Sequence, residues 1–368
     1  MRRRGGWGPC CDPDTEGRSN GLHIFFTAHR QASPYEQATA PARGNTMKAI
    51  VQHRYGPPDV LQLVDVDTPV VDDDGVLVRV RAASVNAADW HFMRGLPLVV
   101  RMVEGLRRPK RRSVGHDVAG EVEAVGKDVT QFLAGDAVFG FQRGAFAEYV
   151  CGRESSFVLK PTRLTFEQAA AVPAAGCTAL QALRDGARVR AGQRVLIHGA
   201  GGGVGTFAVQ IAKALGAHVT AVTSTRNVDL VRSIGADEVI DYTTQDFSRS
   251  GQQYDVIVDL AASRSLAACR RVLAANGVLV LLGAVDSRRM TPLLARLLVA
   301  TVWSRFGDRK LRPFLAKVRH ADMVALKELV DAGKLTPVID RTYPLSETAA
   351  AVRYLEQGHA RGKVVITV

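Results

Sequence analysis

The feature that most constrains the fold is a glycine-rich turn, Gly199–Gly205, between a short apolar run and a helical pattern. The run before it, Val195–Ile197, predicts a buried parallel strand, and the apolar spacing after it predicts a helix. A strand, a glycine turn and a helix in this order form the context of a dinucleotide-binding fingerprint. Gly202 lets the backbone approach a pyrophosphate, Gly205 lets the helix pack close to its strand, and the helix start attracts phosphate. The turn residues predicted to contact a cofactor are Ala200, Gly202, Gly203, Val204 and Gly205.

A flexible glycine loop is the alternative, and the elements that follow the turn disfavour it. Apolar runs alternate with helical segments over the second half of the chain, which is the pattern of a doubly wound parallel sheet. A helical segment is predicted before the first strand, at 165–186, with an interruption at Pro173. The predicted strands of the sheet are Val195–His198, His218–Val222, Glu238–Ile240, Val256–Asp259, Gly277–Leu282 and Arg312–Lys317.

Short strands separated by glycine and aspartate turns characterise residues 47–160 and predict a compact, mostly antiparallel β domain. The predicted strands are Lys48–Gln52, Leu61–Val66, Gly75–Ala83, Asp117–Val125, Ala137–Gly140 and Phe146–Cys151. The C-terminal segment is expected to fold back onto this domain. Its predicted elements are a helix at Asp322–Ala332, a strand at Pro337–Thr342, a helix at Ser346–Gly358 capped by Ser346, and a strand at Lys363–Val368.

Charge and cysteine content restrict the partners and the compartment. The chain has 368 residues and a net charge of +12, and part of this charge lies in the basic loop 101–112. No nucleic-acid module motif is present, so we expect a solvated basic face or attraction of an anionic cofactor, and no nucleic-acid partner. Five scattered cysteines fit a reducing, cytoplasmic location better than a disulfide framework. No membrane span is expected, because the longest apolar-rich run, Leu293–Phe306, is broken by two arginines.

Several motifs together resemble the medium-chain dehydrogenase/reductase family, on its zinc-independent quinone oxidoreductase branch. They are MKAIVQHRYGPPDVLQL, SVNAADWHFMRG, VGHDVAGEVEAVG, FLAGDAVFG, RGAFAEYV, GQRVLIHGAGGGVGTFAVQIAK, LGAHVTAVTSTRN, GADEVIDY and RGKVVITV. The resemblance implies an α/β protein, with a GroES-like β-barrel catalytic domain, a Rossmann domain and an active site between them. It also suggests a homodimer. The expected division is a disordered extension over 1–46, a GroES-like domain over 47–169 plus 319–368, and a Rossmann NADP-binding domain over 170–318.

The end of the second sheet strand predicts which nicotinamide cofactor is bound. NAD-specific sites usually place Asp or Glu there to bind the ribose hydroxyls. This chain has no acid there and has Ser224 and Arg226, which suit a 2′-phosphate, so we predict NADPH rather than NADH. A solvated surface side chain is the alternative for Arg226. Further expected cofactor contacts are Thr178 and Tyr242, which match family positions, and Gly283, which follows the fifth strand.

The family's zinc ligands are incomplete in this chain. Zinc members use a Cys-x-x-Asp-x-His stretch, a Gly-His-Glu stretch and a later Cys or acid. At the matching positions Asn86 replaces the first ligand, and His116 is the remaining candidate histidine. A catalytic zinc needs about three protein ligands and an open position, so we expect no metal. A zinc-dependent alcohol dehydrogenase is the alternative.

Hydride transfer to a quinone, or to the β-carbon of an α,β-unsaturated carbonyl, needs no Lewis acid, because the acceptor is already electrophilic. Asn86 is predicted to donate its amide N–H to the carbonyl oxygen that gains negative charge, and His91 to supply the proton. Asp89 is expected to fix their loop. An ordinary surface histidine beside Trp90 is the alternative for His91. The predicted partner is a small carbonyl or quinone substrate, and the contrasting function is a non-catalytic NADPH-binding sensor.

Overall fold

The structure is a computed structural model that describes residues 46–282 and 308–368. Three sequence predictions lie outside these residues: the extension up to residue 45, Gly283, and the run Leu293–Phe306. The strands are β1 Thr46–Gln52, β2 Leu61–Asp67, β3 Gly75–Val85, β4 Asp117–Val125, β5 Ala137–Phe141, β6 Tyr149–Arg153, β7 Phe157–Leu159, β8 Arg194–His198, β9 His218–Thr223, β10 Glu238–Asp241, β11 Tyr254–Asp259, β12 Leu273–Leu281, β13 Lys310–Pro313, β14 Ile339–Pro344 and β15 Lys363–Thr367.

The α-helices of the described residues are short and connect or flank these strands. They are α1 Ala87–Arg94, α2 Val99–Glu104, α3 Phe166–Ala170, α4 Pro173–Gln181, α5 Gly203–Ala214, α6 Val228–Ser233, α7 Leu266–Arg271, α8 His320–Asp331 and α9 Thr348–Glu356. Among the described residues, no helix is both long enough and apolar enough to cross a bilayer.

The first large sheet has the order β14-β15-β3-β4-β5-β7, and β6 pairs with β3. Most of its pairs are antiparallel, while β14 and β15 are parallel to each other. Strand β15 runs antiparallel to β3, with Val364 opposite Val85. The last strand therefore returns to the first β domain, as predicted, and it brings the residues around 363 next to the end of β3.

The second large sheet has the order β10-β9-β8-β11-β12-β13, and all its pairs are parallel. Its central strand β8 is fully buried at Val195, Leu196 and Ile197, because helices cover both faces of such a sheet. The predicted doubly wound sheet is confirmed. Its sixth strand ends earlier than predicted, at Pro313, which pairs with Leu281, the last residue of β12.

Three smaller predictions differ from the structure. The helical segment before the sheet is interrupted as expected, but its last residues, Ala182–Ala187, form a π turn. Ser346 does not cap the last helix, because Leu345–Glu347 forms a 3-10 turn and the α-helix begins at Thr348. The strand predicted from Phe146 begins only at Tyr149, since the segment before it bonds to Ile50 and Lys48 instead.

Candidate functional site

The glycine turn has the geometry that a dinucleotide pyrophosphate requires. It joins the buried end of β8 to α5, and Gly202 caps the helix in an extended conformation. A Cβ on Gly202 would meet only the carbonyl oxygen of Gly199, at 3.6 Å, so space above the turn is open. The first amides of α5, at Gly203, Val204 and Gly205, have no partner within the helix and are placed to bind phosphate oxygens.

Two other glycines of the turn are required by packing. A Cβ on Gly205 would lie 2.2 Å from the oxygen of Gly199, so the close contact of helix and strand needs glycine. A Cβ on Gly201 would lie 2.5 Å from Nδ2 of Asn227 and 2.7 Å from Oγ1 of Thr223. Buried Asn227 therefore explains the glycine at position 201, where the sequence motif alone gave no reason for it.

The residues predicted to bind the adenosine phosphate lie together. Asp241, the last residue of β10, pairs with Thr223, the last residue of β9. Tyr242 and Ser224 therefore follow neighbouring strand ends, and Tyr242 is half exposed. Arg226 is exposed and donates from Nη2 to the carbonyl oxygen of His359 at 2.5 Å. This bond ties its side chain to the loop before β15, and its role toward a cofactor stays a prediction.

Arg361 is a candidate cofactor residue that the sequence analysis missed. Its Nε donates to Oδ1 of Asn227 at 3.0 Å, and its backbone amide donates to Asp340 at 2.9 Å. Arg226 and Arg361, from segments more than 130 residues apart, thus bond the turn after β9 to the loop before β15. The signal was present in the closing motif RGKVVITV, which contains Arg361, but only the fold shows that this motif reaches the nucleotide turn.

The segment after Arg361 connects the glycine turn to the first domain. The amide of Gly362 donates to the oxygen of Gly201 at 3.1 Å, and Gly362 forms a bridge with Gly202. The aliphatic stem of Lys363 then packs beneath Gly203, where an added Cβ would be 3.2 Å from Cδ. The cofactor turn and the catalytic candidates are therefore joined through one lysine side chain.

That lysine ends in a buried polar cluster around Asp117. Nζ of Lys363 lies 2.5 Å from Oδ1 of Asn86 and 3.4 Å from Oδ2 of Asp117. The same Oδ2 accepts from Ser84 Oγ and from Asn86 Nδ2, each at 2.9 Å. Oδ1 accepts from the amide of Ala174, at the start of α4, at 3.0 Å. Five residues from four segments of the chain thus meet at one carboxylate, and neither this cluster nor Lys363 was expected from sequence.

Burial and hydrogen bonding act in opposite directions on this cluster. Asp117 is fully buried and Lys363 is 3% exposed. Burial raises the pKa of Asp117, while Lys363, Asn86 and Ser84 lower it. Burial likewise lowers the pKa of Lys363, and the charges of Asp117 and Asp89 raise it. Because the carboxylate accepts four donors, the arrangement fits an ionised pair with its bonding capacity filled.

The structure does not support the predicted role of Asn86 as a hydrogen-bond donor to substrate. Its Nδ2 donates to Asp117 at 2.9 Å and faces the oxygen of Ser84 at 3.4 Å, so both amide hydrogens are engaged. The neighbours also fix the amide orientation, since Oδ1 must face the ammonium of Lys363 and Nδ2 the carboxylate of Asp117. Asn86 is placed as a positioning residue inside the cluster.

Asp89 fixes the loop, as its place in the sequence suggested. Its Oδ2 accepts from the backbone amide of Asn86 at 2.7 Å, at the start of α1. Its Oδ1 lies 2.8 Å from Nδ1 of His116. The aromatic ring of Phe141 stacks on His116 at 5.1 Å. Both carboxylate oxygens of Asp89 are therefore engaged, one by the start of α1 and one by His116. Asp89 positions both of these groups.

His91 is held in one orientation. Its Nδ1 lies 2.8 Å from the carbonyl oxygen of Leu96, which can only accept, so Nδ1 carries the proton. Its ring stacks on Trp90 with centroids 3.8 Å apart. Burial lowers the pKa of His91, and the bond to Leu96 partly opposes this effect. Nε2 has no partner among the described residues and is the ring atom left for a substrate or a water.

Thr178 turns its hydroxyl back onto its own helix. Oγ1 donates to the oxygen of Ala174 at 2.6 Å, so the hydroxyl proton is used. The lone pairs of Oγ1 remain, and they can accept an N–H from a carboxamide such as that of nicotinamide. Thr178 follows Cys177 on α4, whose thiol is buried with a pKa raised to about 12, mainly by that burial.

The donor set around Asn86 does not fit a catalytic zinc. Among residues 46–282 and 308–368, no three His, Cys, Asp or Glu side chains are grouped as metal ligands. The single oxygen of Asn86 that could face a metal instead accepts from the ammonium of Lys363. A divalent cation at this place would meet a positive charge, so we derive no step through a metal.

A doubly wound sheet with a glycine turn, joined to an antiparallel β domain, defines the class of two-domain dinucleotide-dependent enzymes. Comparison with known families agrees. The model described as an alcohol dehydrogenase GroES-like domain matches residues 72–163, and the one described as a zinc-binding dehydrogenase matches residues 234–366.

Three similar proteins illustrate the relationship. The mouse (Mus musculus) mitochondrial NAD(P)H oxidoreductase RTN4IP1 is 36% identical over 372 residues, covering 90% of this chain and 91% of the relative. The tomato (Solanum lycopersicum) 2-methylene-furan-3-one reductase is 34% identical, covering 95% of this chain and 86% of the relative. The structure of the quinone oxidoreductase from Coxiella burnetii superposes with a TM-score of 0.75 at 33% identity, covering 88% of this chain and 100% of that one.

The chain belongs to the medium-chain dehydrogenase/reductase family, with a GroES-like domain and a Rossmann domain. It is an oxidoreductase that uses a nicotinamide cofactor and a small-molecule substrate. The predicted family and fold class are confirmed.

Proposed function

We propose that this protein reduces quinones or α,β-unsaturated carbonyls with NADPH, by hydride transfer without a metal. Its relatives include a quinone oxidoreductase and a 2-methylene-furan-3-one reductase, and such a furanone is an enone. The observation that carries the proposal is the continuity from Arg361 to Lys363. This segment joins the nucleotide turn to the Asn86 cluster. The cluster lies where zinc members of the family have their first metal ligand.

The choice of NADPH rests on charge at the end of β9. Arg226 follows Ser224 by two residues and Arg361 bonds to Asn227, and a 2′-phosphate is a good bidentate partner for guanidinium groups. Asp241, which is opposite Thr223 in the sheet, is bonded to the hydroxyls of Thr225 and Thr243. NAD-specific sites usually have an acid after this strand that binds the ribose hydroxyls. The residues directly after β9 in this chain include no acid.

In the proposed reaction NADPH supplies the hydride when it is bound. The chain's own residues hold the cofactor and deliver a proton. The turn Ala200–Gly205 binds the pyrophosphate, and Thr178 accepts an N–H from the carboxamide. His91 in its imidazolium form donates the Nε2 proton to the carbonyl oxygen of the acceptor. That oxygen gains negative charge as the β-carbon of the enone, or the quinone, takes up the hydride, so the reduced product is neutral and His91 is left as neutral imidazole. Asn86, Asp89 and Lys363 position this machinery.

The test is the loss of reduced-nicotinamide absorbance after dialysis against a chelator, with NADPH and with NADH. One quinone, one enone and one simple aldehyde serve as acceptors. Turnover of the quinone or the enone with NADPH, unchanged by chelation, supports the proposal. Aldehyde turnover that is lost on chelation and restored by zinc would contradict it. Cofactor binding without turnover of any acceptor would favour the sensor.

Four finer points stay predictions. We propose the domain division given above, with Gly283 near the nicotinamide. We also propose a homodimer, which light scattering on the purified protein tests directly. A cytoplasmic location stays a prediction as well, and the mouse relative is named as mitochondrial. Localisation of a tagged full-length chain in its own cells tests it.

A further inference from the structure

An unusual set of apolar side chains is exposed around α2. Isolated exposed apolar residues are normal on protein surfaces, whereas a contiguous group marks an interaction site. Here five fall within nine positions, and two of them are 72% exposed. They are Leu98 at 60%, Val99 at 44%, Met102 at 72%, Val103 at 37% and Leu106 at 72%.

The exposure does not come from a loose segment, because the opposite side of α2 is anchored. Tyr55 donates its hydroxyl to the oxygen of Gly105 at 2.7 Å. Arg101 lies over the Tyr55 ring at 4.7 Å and donates to Gly95 at 3.1 Å. Glu104 is paired with Arg143 at 3.0 Å, and both side chains are largely buried. These contacts hold the apolar side chains outward.

Basic side chains continue directly from this apolar group. Arg107, Arg108, Lys110 and Arg112 are all exposed. Between residues 95 and 116 the sequence contains six Lys or Arg and one acid, Glu104, whose charge is already neutralised by Arg143. We call residues 98–112 the α2 surface. It combines an apolar tip with a cluster of cations and has no exposed acid.

We propose that the α2 surface docks on an anionic lipid bilayer, with its apolar side chains inserted at the interface and its cations on the headgroups. Apolar residues beside lysine and arginine are the composition of interfacial, non-spanning membrane contacts. A second copy of this chain fits less well, because a two-fold contact would place the four cations against their own copies. Nucleic acid fits less well, because residues 95–115 include no Phe, Tyr or Trp for stacking on bases.

The position of the α2 surface gives the docking a consequence for catalysis. The oxygen of Leu96, two residues before the surface begins, accepts from His91. Docking would therefore hold the candidate proton donor close to the bilayer, where lipophilic acceptors dissolve. The docking itself depends only on the surface and does not require the proposed reaction.

The experiment is co-sedimentation of the full chain with vesicles of phosphatidylcholine alone and of an equimolar mixture with phosphatidylglycerol. We expect binding to the anionic vesicles only, weakened by salt. Replacing three cations (Arg107→Gln, Arg108→Gln, Lys110→Gln) should reduce partitioning about a hundredfold, from roughly fivefold per cation. Met102→Glu with Leu106→Glu should reduce it by more than about tenfold. The matched control is Leu133→Glu, because Leu133 is equally exposed (73%) but lies outside the surface.

Thermal unfolding of each variant shows that it folds like the wild type. The proposal is overturned if the wild-type protein stays in the supernatant when the anionic vesicles are sedimented, or if Leu133→Glu weakens binding as much as the α2 variants. It is equally overturned if the wild type is a dimer that Met102→Glu and Leu106→Glu convert to a monomer while vesicles are not bound. Retention of a duplex or single-stranded oligonucleotide in place of vesicles, lost in the cation variant, would assign the surface to nucleic acid instead.

Discussion

Nζ of Lys363 lies 2.5 Å from Oδ1 of Asn86, although the two residues are 277 positions apart. The contact places a buried ammonium from the last strand where the family's zinc members have a ligand. It also orients the Asn86 amide toward Asp117. The contact therefore takes the one Asn86 oxygen that could face a metal, and it places Asn86 as a positioning residue.

Removing the charge of Lys363 is expected to destabilise the fold strongly. Lys363→Met leaves the carboxylate of Asp117 buried without its counter-charge, and breaking a buried pair typically costs about 3–5 kcal/mol. The free energy of unfolding, from urea titration, measures this. Adding Asp117→Asn should recover part of the loss, since the unpaired charge is then gone.

The control Lys127→Met removes an exposed pair with Asp73 and should change stability by less than about 1 kcal/mol. Equal losses at Lys363 and Lys127 would contradict this account.

Substitutions at two glycines of the turn should have different effects, one on cofactor binding and the other on stability. Gly202→Ala adds a Cβ in open space, so the unfolding midpoint should stay near that of the wild type. The same Cβ occupies the approach of the pyrophosphate, so NADPH affinity should fall about tenfold or more. Gly205→Ala instead forces a contact of 2.2 Å with Gly199 and should lower the midpoint by several degrees. Fluorescence titration with NADPH and a thermal melt measure both properties, and a destabilised Gly202→Ala would count against the open cradle.

The Rossmann half of the fold was predictable because its signals are local. Each strand is a short apolar run, and the turn between β8 and α5 has glycines whose need is visible in the motif. The predicted strand bounds are wrong where the length of a strand depends on its neighbour in the sheet. The sixth strand ends at Pro313, which pairs with Leu281, the last residue of β12, and no local pattern records this pairing.

The site was only partly predictable, because its decisive contacts are between distant segments. Asn86, Asp89 and His91 were predicted from one motif, Ser224 and Arg226 from a strand end, and Tyr242 from a family position. Lys363 and Arg361 were visible only as part of a closing motif. Their roles depend on the antiparallel pairing of β15 with β3, which brings them to Asn86 and Asn227.

The two arginines near β9 should set the preference for NADPH. Arg226→Ala and Arg361→Ala should each weaken NADPH binding about tenfold or more and leave NADH binding nearly unchanged, because only NADPH carries the 2′-phosphate. Dissociation constants for both cofactors measure this. Arg353→Ala is the control, since Arg353 is also exposed and paired, with Asp59. If NADPH and NADH weaken together, the side chains support the loop and not the phosphate.

The pH dependence of turnover should report His91. Because Nδ1–H is committed to Leu96, Nε2 can donate a proton only when the ring is protonated. Burial lowers the pKa of His91 from its ordinary value of 6.5, so the ring is mostly neutral at neutral pH. The sign follows: the proton-donating form, and with it kcat/KM for an enone, should increase as the pH falls below 6.5. His91→Gln should remove this acidic limb and reduce the rate at its plateau about a hundredfold or more.

The control His53→Gln alters an exposed histidine and should keep the limb. An NMR titration of the His91 ring that gives a pKa above 6.5, or an acidic limb that persists in His91→Gln, would assign the proton to another source.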